Sequence, residues 1–266
     1  MKKIYLSPPH LSKNEKKYIL EAIKSNWIAP TEPFLNKFEK KITRYIGVKN
    51  ALCVNSGTAA IHLALKVLGV KNNDIVLCQN FTFIGSVYPI IYCNAKPVFI
   101  GSESESWNMC PKILRKTIIK LKKNNKTPKA IIVVHLYGMP AKMHDIKKIS
   151  KEFNIPIIED AAEALGSSIG NKKCGSFGDI GILSFNGNKI ITTSGGGAII
   201  SSNKKYIDEA RYLSTQARDN FVHYEHSKIG YNYRMSNLLA AVGLGQIEVI
   251  DDRVKARRKN YEYYKK

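Results

Sequence analysis

Short apolar runs alternate along this chain with segments in which apolar residues recur at helical spacing. The runs that predict strands lie at residues 51–55, 75–79, 96–100, 130–136 and 155–160. The segments that predict helices lie at residues 14–25, 32–47, 59–69, 111–123 and 142–153. Because the strand runs are nearly continuous in apolar residues, the pattern predicts an α/β fold with a mostly parallel central sheet and helices on both faces.

The pattern shortens after residue 172. A turn is predicted at 174–179, followed by strands at 181–185 and 198–201 on either side of a glycine-rich loop over 187–197. Such short neighbours predict antiparallel pairing at one side of the sheet. Helices are predicted over 203–213 and, as one continuous helix, from 236 to residue 266.

The strong positive charge raises the question of a nucleic-acid partner. The 266 residues carry a formal net charge of +21, and the sequence pI is about 9.7. The lysines are scattered at spacings typical of solvated helix faces, with no aromatic-interleaved basic ladder and no nucleic-acid motif. We therefore expect no nucleic-acid partner, and a basic surface that attracts anionic substrates. No apolar run approaches the roughly 18 residues of a membrane span, so none is predicted.

The five cysteines show no spacing typical of a disulfide framework or a zinc site. The pair His223 and His226 resembles a metal pair only superficially, and no metal is predicted. An odd number of unpaired cysteines is typical of reduced thiols, and residues 1–10 lack the apolar core of a signal peptide. Both observations predict a cytoplasmic protein.

A small polar turn separates the first predicted strand from the helix after it. Ser56, Gly57 and Thr58 form this turn, where free backbone N–H groups and the helix dipole favour an anion such as a phosphate. The alternative is a plain helix N-cap, which the tripeptide alone does not exclude. The sequence contains no G-x-x-x-x-G-K-[ST] motif, so ATP is disfavoured as the ligand of this turn.

The sequence adds a carboxylate and a lysine amine to the anion turn. Asp160 ends an apolar strand and is followed by two small residues, Ala161 and Ala162, which leave room for a flat ring. Lys189 follows the strand at 181–185 and has hydroxyl, amide and glycine neighbours rather than charged ones. Alone, the acid could be a strand-end cap and the lysine a surface charge. Together with the anion turn, they match pyridoxal 5′-phosphate (PLP), which needs a Schiff-base lysine, a carboxylate for its ring nitrogen and a phosphate seat.

Six motifs resemble, in order, those of the DegT-type sugar-nucleotide aminotransferases, which belong to the fold-type I PLP enzymes. They are NSGTAAIHLAL, FTFIGS, VVHLYGMPAKM, IIEDAAEALGS, SFNGNKIITTSGGG and GYNYRMSN. The likeness covers nearly the whole chain and is closest to the aminotransferases of bacillosamine biosynthesis. It implies a PLP enzyme that moves an amino group from glutamate to a UDP-linked 4-keto-6-deoxy-N-acetylhexosamine. Many members carry a glutamate in the glycine-rich run, where this chain has Ser194.

The resemblance also implies a role for each matching residue. Lys189 would hold PLP and move a proton, and Asp160 would pair with the ring nitrogen. Phe83 and Ala162 would lie on the two faces of the ring, with Glu163 near its hydroxyl. The phosphate would be bound by Gly57, Thr58 and Ser184, and by Asn232 from the neighbouring subunit of a homodimer. His135 and Arg234 would lie either behind these residues or on the substrate side.

The resemblance implies a large PLP-binding domain over 1–235 and, over 236–266, the start of a linker helix to a small domain that is missing from the sequence. Three alternatives stay open. The related sugar 3-dehydratases replace the Schiff-base lysine with histidine, so Lys189 favours transamination. The amino group could be placed at C3 rather than C4 of the sugar. The chain could also be an inactive relative that only binds PLP or a partner.

Overall fold

The apolar runs form the strands of one central sheet in the computed structural model, which describes residues 3, 5–30 and 33–265. The strands are β1 Asn50–Val54, β2 Ile75–Gln79, β3 Lys96–Ile100, β4 Ala130–Val134, β5 Ile157–Asp160, β6 Ser168–Ile169, β7 Lys172–Lys173, β8 Ile180–Ser184 and β9 Gly197–Ser201. The helices are α1 Asn14–Lys24, α2 Phe34–Ile46, α3 Gly57–Val67, α4 Tyr88–Tyr92, α5 Pro111–Lys123, α6 Met143–Phe153, α7 Lys204–Ser214, α8 Asn237–Ile247 and α9 Ile250–Lys265. Single 3₁₀ turns lie at Ile84–Ser86 and Leu136–Gly138.

The central sheet has seven strands in the order β1-β9-β8-β5-β4-β2-β3, and β6 pairs with β7 in a separate small hairpin. Pairing is parallel from β8 through β5, β4 and β2 to β3. Only β9 runs against its neighbours, since it is antiparallel to both β8 and β1. The predicted mostly parallel sheet with antiparallel pairing at one side is confirmed.

Both faces of the sheet are buried, which explains why its strands lack polar alternation. In β4, Ile132 packs on one face against the cluster that includes α3 and α7, while Ile131 and Val133 pack on the other against α5 and α6. In β8, Ile182 faces the first cluster and Leu183 faces α2 and α8. Helices on both faces leave only the strand ends open to ligands.

The C-terminal segment differs from the single helix expected there, because α8 and α9 are separate. Helix α8 is apolar on nearly every side and packs against α1 and α2. Helix α9 is mostly polar and begins with Asp251 and Asp252, which suit the N-terminus of a new helix. The domain boundary expected at residue 235 stays a prediction. Among the described residues, every helix is too short or too polar to cross a membrane.

Candidate active site

A cavity of about 870 Å³ opens where β1, β5 and β8 end. It lies beyond the carboxyl ends of these parallel strands, the usual ligand position in such folds. Most of the residues predicted for the site line it together: Gly57, Thr58, Phe83, Asp160, Ala162, Glu163, Ser184 and Lys189. These side chains come from positions more than 130 residues apart, so the fold itself assembles the site.

The anion turn lies on one wall of this cavity, at the N-terminus of α3. Ser56 is the N-cap, and its Oγ accepts the Ala59 N–H at 3.0 Å. The N-cap interpretation and the anion-site interpretation therefore hold together, because the cap leaves the first amides of α3 free for a ligand. A Cβ at Gly57 would lie 3.1 Å from Ser184 Cβ. The glycine thus lets the Ser184 hydroxyl reach the same anion position.

Asp160 lies on the floor of the cavity and is only 4% exposed. Its Oδ2 accepts the Ser86 hydroxyl at 2.7 Å, and its Oδ1 accepts the Ala162 N–H at 3.1 Å. Burial raises the pKa of Asp160, while these two hydrogen bonds and the nearby charge of Lys189 act in the opposite direction. A buried carboxylate of this kind is stabilised by a cation, which is what a protonated pyridine nitrogen provides.

Lys189 lies in the loop between β8 and β9, with its side chain 17% exposed. Its Nζ donates to Glu163 Oε1 at 3.2 Å, and Glu163 Oε2 accepts the Tyr137 N–H at 3.0 Å. The backbone N–H of Lys189 donates to Asn186 at 3.0 Å. The amine is therefore held at the cavity wall by a carboxylate, on the same cavity as Asp160.

An aromatic side chain stands at the mouth of the cavity. Phe83 is 77% exposed, and a Cβ at Gly85 would lie 3.0 Å from its ring and 3.1 Å from Thr58 Oγ1. Gly85 therefore leaves room for the ring beside the anion turn. A carboxylate, an anion seat, an aromatic face and an amine on one cavity are the groups that PLP requires, so the site fits this cofactor.

His135 lies behind the cavity and does not line it. It is fully buried, with Nε2 2.8 Å from Glu159 Oε1 and Nδ1 accepting the Ala141 N–H at 3.0 Å. Since Nδ1 accepts, Nε2 carries the hydrogen and donates to Glu159. Cys174 lies close enough to complete a metal-binding trio. However, both His135 nitrogens are already hydrogen-bonded, and burial raises the pKa of Cys174 to about 12. The role assigned to His135 from the resemblance stays a prediction.

Arg234 also points away from the cavity. Its Nη1 donates to Glu39 Oε1 at 3.3 Å and to the Cys53 carbonyl at 3.2 Å, and its backbone pairs with Val54. The guanidinium thus fastens its segment to β1 and α2, and the role assigned to Arg234 stays a prediction. Asn232, two residues earlier, is exposed and does not line the cavity of its own chain.

Two residues at the site were not assigned from the sequence. Ser86 is the direct partner of Asp160, and its place after Gly85 in FTFIGS was the only available signal. Tyr137 lines the cavity with its backbone at φ 51°, a conformation that non-glycine residues seldom adopt outside special sites. The sequence pattern does not predict this positive φ at Tyr137.

Fold and cavity together define a fold-type I PLP-dependent aminotransferase. A sequence model of the DegT/DnrJ/EryC1/StrS aminotransferase family matches residues 9–266, and the chain belongs to this family. It is 54% identical over 264 residues to the pyridoxal phosphate-dependent aminotransferase EpsN of Bacillus subtilis, covering 99% of this chain and 68% of that one. It is 41% identical to GDP-perosamine synthase of Escherichia coli O157:H7, covering 100% of this chain and 71% of that one.

A solved structure gives the same result. The PLP form of the sugar aminotransferase Spr1654 from Streptococcus pneumoniae superposes with a TM-score of 0.91 at 26% identity, covering 99% of this chain and 71% of that one. The expected enzyme class, cofactor and fold are confirmed. The narrower assignment to bacillosamine biosynthesis is not confirmed, because the relatives carry the names of enzymes for several different sugars.

Proposed function

We propose that this protein transfers the amino group of glutamate to C4 of a UDP-linked 4-keto-6-deoxy-N-acetylhexosamine. One observation carries the proposal: Lys189 and Asp160 line one cavity whose opposite wall is the N-terminus of α3. A relative from Campylobacter jejuni, 36% identical over 234 residues, is named as a transaminase of a UDP-linked amino sugar. A GDP-linked keto sugar is the second candidate, favoured by the GDP-perosamine synthase relatives.

The proposal assigns a role in the reaction to five residues that line the cavity. When bound, PLP supplies an electron sink that stabilises negative charge next to the substrate nitrogen. Asp160 would keep the ring nitrogen protonated, and Gly57, Thr58 and Ser184 would hold the phosphate. Lys189 Nζ takes the proton from the α-carbon of the amino donor and returns one to the sugar carbon that receives nitrogen.

Three further residues shape the environment of the reaction. Phe83 and Ala162, which both line the cavity, would lie on the two faces of the ring and limit the access of water to it. Glu163 accepts from Lys189 Nζ at 3.2 Å and so keeps the amine at the wall of the cavity when it is not engaged with a ligand. In the proposal Glu163 would also contact the ring hydroxyl.

The proposal includes a homodimer in which Asn232 completes the phosphate site of the partner subunit. The Asn55 N–H donates to the Tyr233 carbonyl at 2.8 Å, which fixes the segment next to the anion turn while Asn232 stays exposed. The segment before it exposes Phe221, Val222 and Ile229, apolar side chains that suit a protein interface. Mixed dimers of Lys189→Ala and Asn232→Ala chains should recover one intact site, whereas independent monomers would recover none.

The basic test asks whether Lys189 carries the cofactor. Wild-type protein with PLP should develop a visible absorbance band, and borohydride reduction should leave a pyridoxyl group on the peptide that contains Lys189. Lys189→Ala should show neither, while Lys205→Ala, which removes an exposed lysine elsewhere, should behave as wild type. A wild-type protein that takes up no PLP would contradict the proposal.

The second test identifies the substrate. Glutamate with the UDP-linked 4-keto sugar should give 2-oxoglutarate and an amino sugar, whose aminated carbon is read by NMR. A matched reaction with a GDP-linked keto sugar tests the second candidate. PLP uptake without turnover of either sugar would instead support an inactive relative that only binds the cofactor.

A further inference from the structure

A second cavity of about 500 Å³ adjoins the PLP cavity and ends at helix α9. Four residues line both cavities: Tyr137, Glu163, Asn188 and Lys189. The two spaces therefore meet at the wall that carries the reactive amine. A substrate whose reacting carbon lies at Lys189 Nζ can extend the rest of its length into this second cavity, which we call the α9 groove.

The α9 groove is positively charged. Its far side is formed by Val254, Arg257, Arg258 and Tyr261 of α9. Within residues 3, 5–30 and 33–265, neither guanidinium forms an ion pair with a carboxylate. Among the described residues that line the groove, Glu163 is the only acidic one, and it is already shared by Lys189 and Tyr137. The groove thus presents two uncompensated guanidinium groups beside the site of reaction.

The position of α9 is set by contacts at its first turns. A Cβ at Gly166 would overlap Val254 Cγ2, so this glycine lets the helix approach the loop after β5. The Tyr45 hydroxyl donates to Asp251 Oδ1 at 3.2 Å, on the same helix.

The opposite wall carries a rare backbone conformation. Tyr137 has φ 51° and is 82% exposed, and Gly138 follows with φ 83°. A Cβ at Gly138 would lie 2.8 Å from the Glu163 carbonyl, so only glycine fits there. Left-handed non-glycine residues cluster at ligand sites, where the surrounding structure holds them in place. The turn keeps the Tyr137 side chain exposed between the two cavities.

We infer that the α9 groove binds the anionic end of a substrate, with Arg257 and Arg258 as its oxyanion ligands. The inference rests on the proposed function, since both candidate substrates are anions. The shared chemistry is an oxyanion that accepts hydrogen bonds from a guanidinium fork. Its source is the diphosphate of the sugar nucleotide or the side-chain carboxylate of the amino donor, and the two are distinguished by the choice of probe.

The experiment is calorimetric binding of UDP and, separately, of glutarate to the PLP-loaded protein. A hydrogen bond to a charged group contributes enough binding free energy that Arg257→Ala and Arg258→Ala should each lower the affinity for one probe by about tenfold or more. Lys255→Ala and Lys259→Ala are matched controls, because they remove an exposed positive charge from the same helix outside the groove. Added salt should weaken the affected probe in wild type more than in the arginine variants.

The outcomes separate clearly. Loss of UDP affinity alone in the arginine variants identifies the diphosphate, and loss of glutarate affinity alone identifies the carboxylate. Equal effects in arginine and lysine variants, or a wild type that binds neither probe at millimolar concentration, overturn the inference. Because binding is read without turnover, a failure of the proposed aminotransfer reaction would be seen separately, in the sugar assays.

Discussion

The Ser86 hydroxyl should set the pH at which the cofactor is retained. Replacing Ser86 with alanine removes the 2.7 Å hydrogen bond to Asp160 Oδ2 and leaves that oxygen with no side-chain donor. Burial already raises the pKa of Asp160, and this hydrogen bond is the strongest of the opposing effects. Its loss lets the pKa rise further, so the carboxyl becomes neutral at a higher pH than in wild type.

The magnitude follows from linkage. A neutral Asp160 cannot hold a cationic ring nitrogen, so affinity falls as the pH drops below the pKa of the carboxyl. A hydrogen bond to a charged group is worth about 1.5–3 kcal/mol, and about 1.4 kcal/mol corresponds to tenfold in affinity. On the acid side of the curve, Ser86→Ala should therefore bind about 10- to 100-fold more weakly. On the alkaline side, the two proteins should bind alike.

The assay is fluorescence titration with pyridoxine 5′-phosphate from mildly acidic to mildly alkaline pH. This ligand has the ring nitrogen and the phosphate but no aldehyde, so Lys189 cannot bond to it and does not confuse the result. Ser102→Ala is the matched control, since the Ser102 hydroxyl is buried without a hydrogen-bond partner among the described residues. A loss of affinity that is the same at every pH would refute the reasoning, as would superimposable curves.

Two further predictions concern the anion turn and the support behind Asp160. Gly57→Ala places a Cβ 3.1 Å from Ser184 Cβ and should lower the affinity for pyridoxine 5′-phosphate about tenfold. Gly187→Ala is the control, because the nearest atom to a Cβ there is 3.9 Å away, and it should leave the affinity unchanged in the same titration. Glu159→Gln should cost about 3–5 kcal/mol in chemical denaturation at neutral pH, because the carboxylate accepts from His135 and three backbone amides. Despite its burial, these donors lower the pKa of Glu159 below its ordinary 4.5. The wild type should therefore lose this stabilisation as the pH falls through the lowered pKa of Glu159. A variant whose stability has the same pH dependence as the wild type would contradict the assignment.

Several boundaries could be predicted closely because local chemistry marks them. β2 and β3 coincide with apolar runs bounded by polar residues, and α5 begins at a proline, which suits the first turn of a helix. The break between α8 and α9 was missed because both segments have helical composition. The structure shows that α8 ends at Ile247 in the core and that α9 begins at Ile250 and is mostly exposed.

The sequence by itself determined the α/β class, the mostly parallel sheet and the anion turn, since these depend on local periodicity and on residues adjacent in the chain. It also placed Asp160 at the end of a strand and Lys189 in the loop that follows another strand, the region where ligands of parallel sheets bind. The tertiary structure alone decided that Ser86, 74 residues from Asp160, donates to that carboxylate. It likewise decided that His135 turns inward to Glu159, because the side chain at a strand end can face either the cavity or the core, and a buried carboxylate requires a donor.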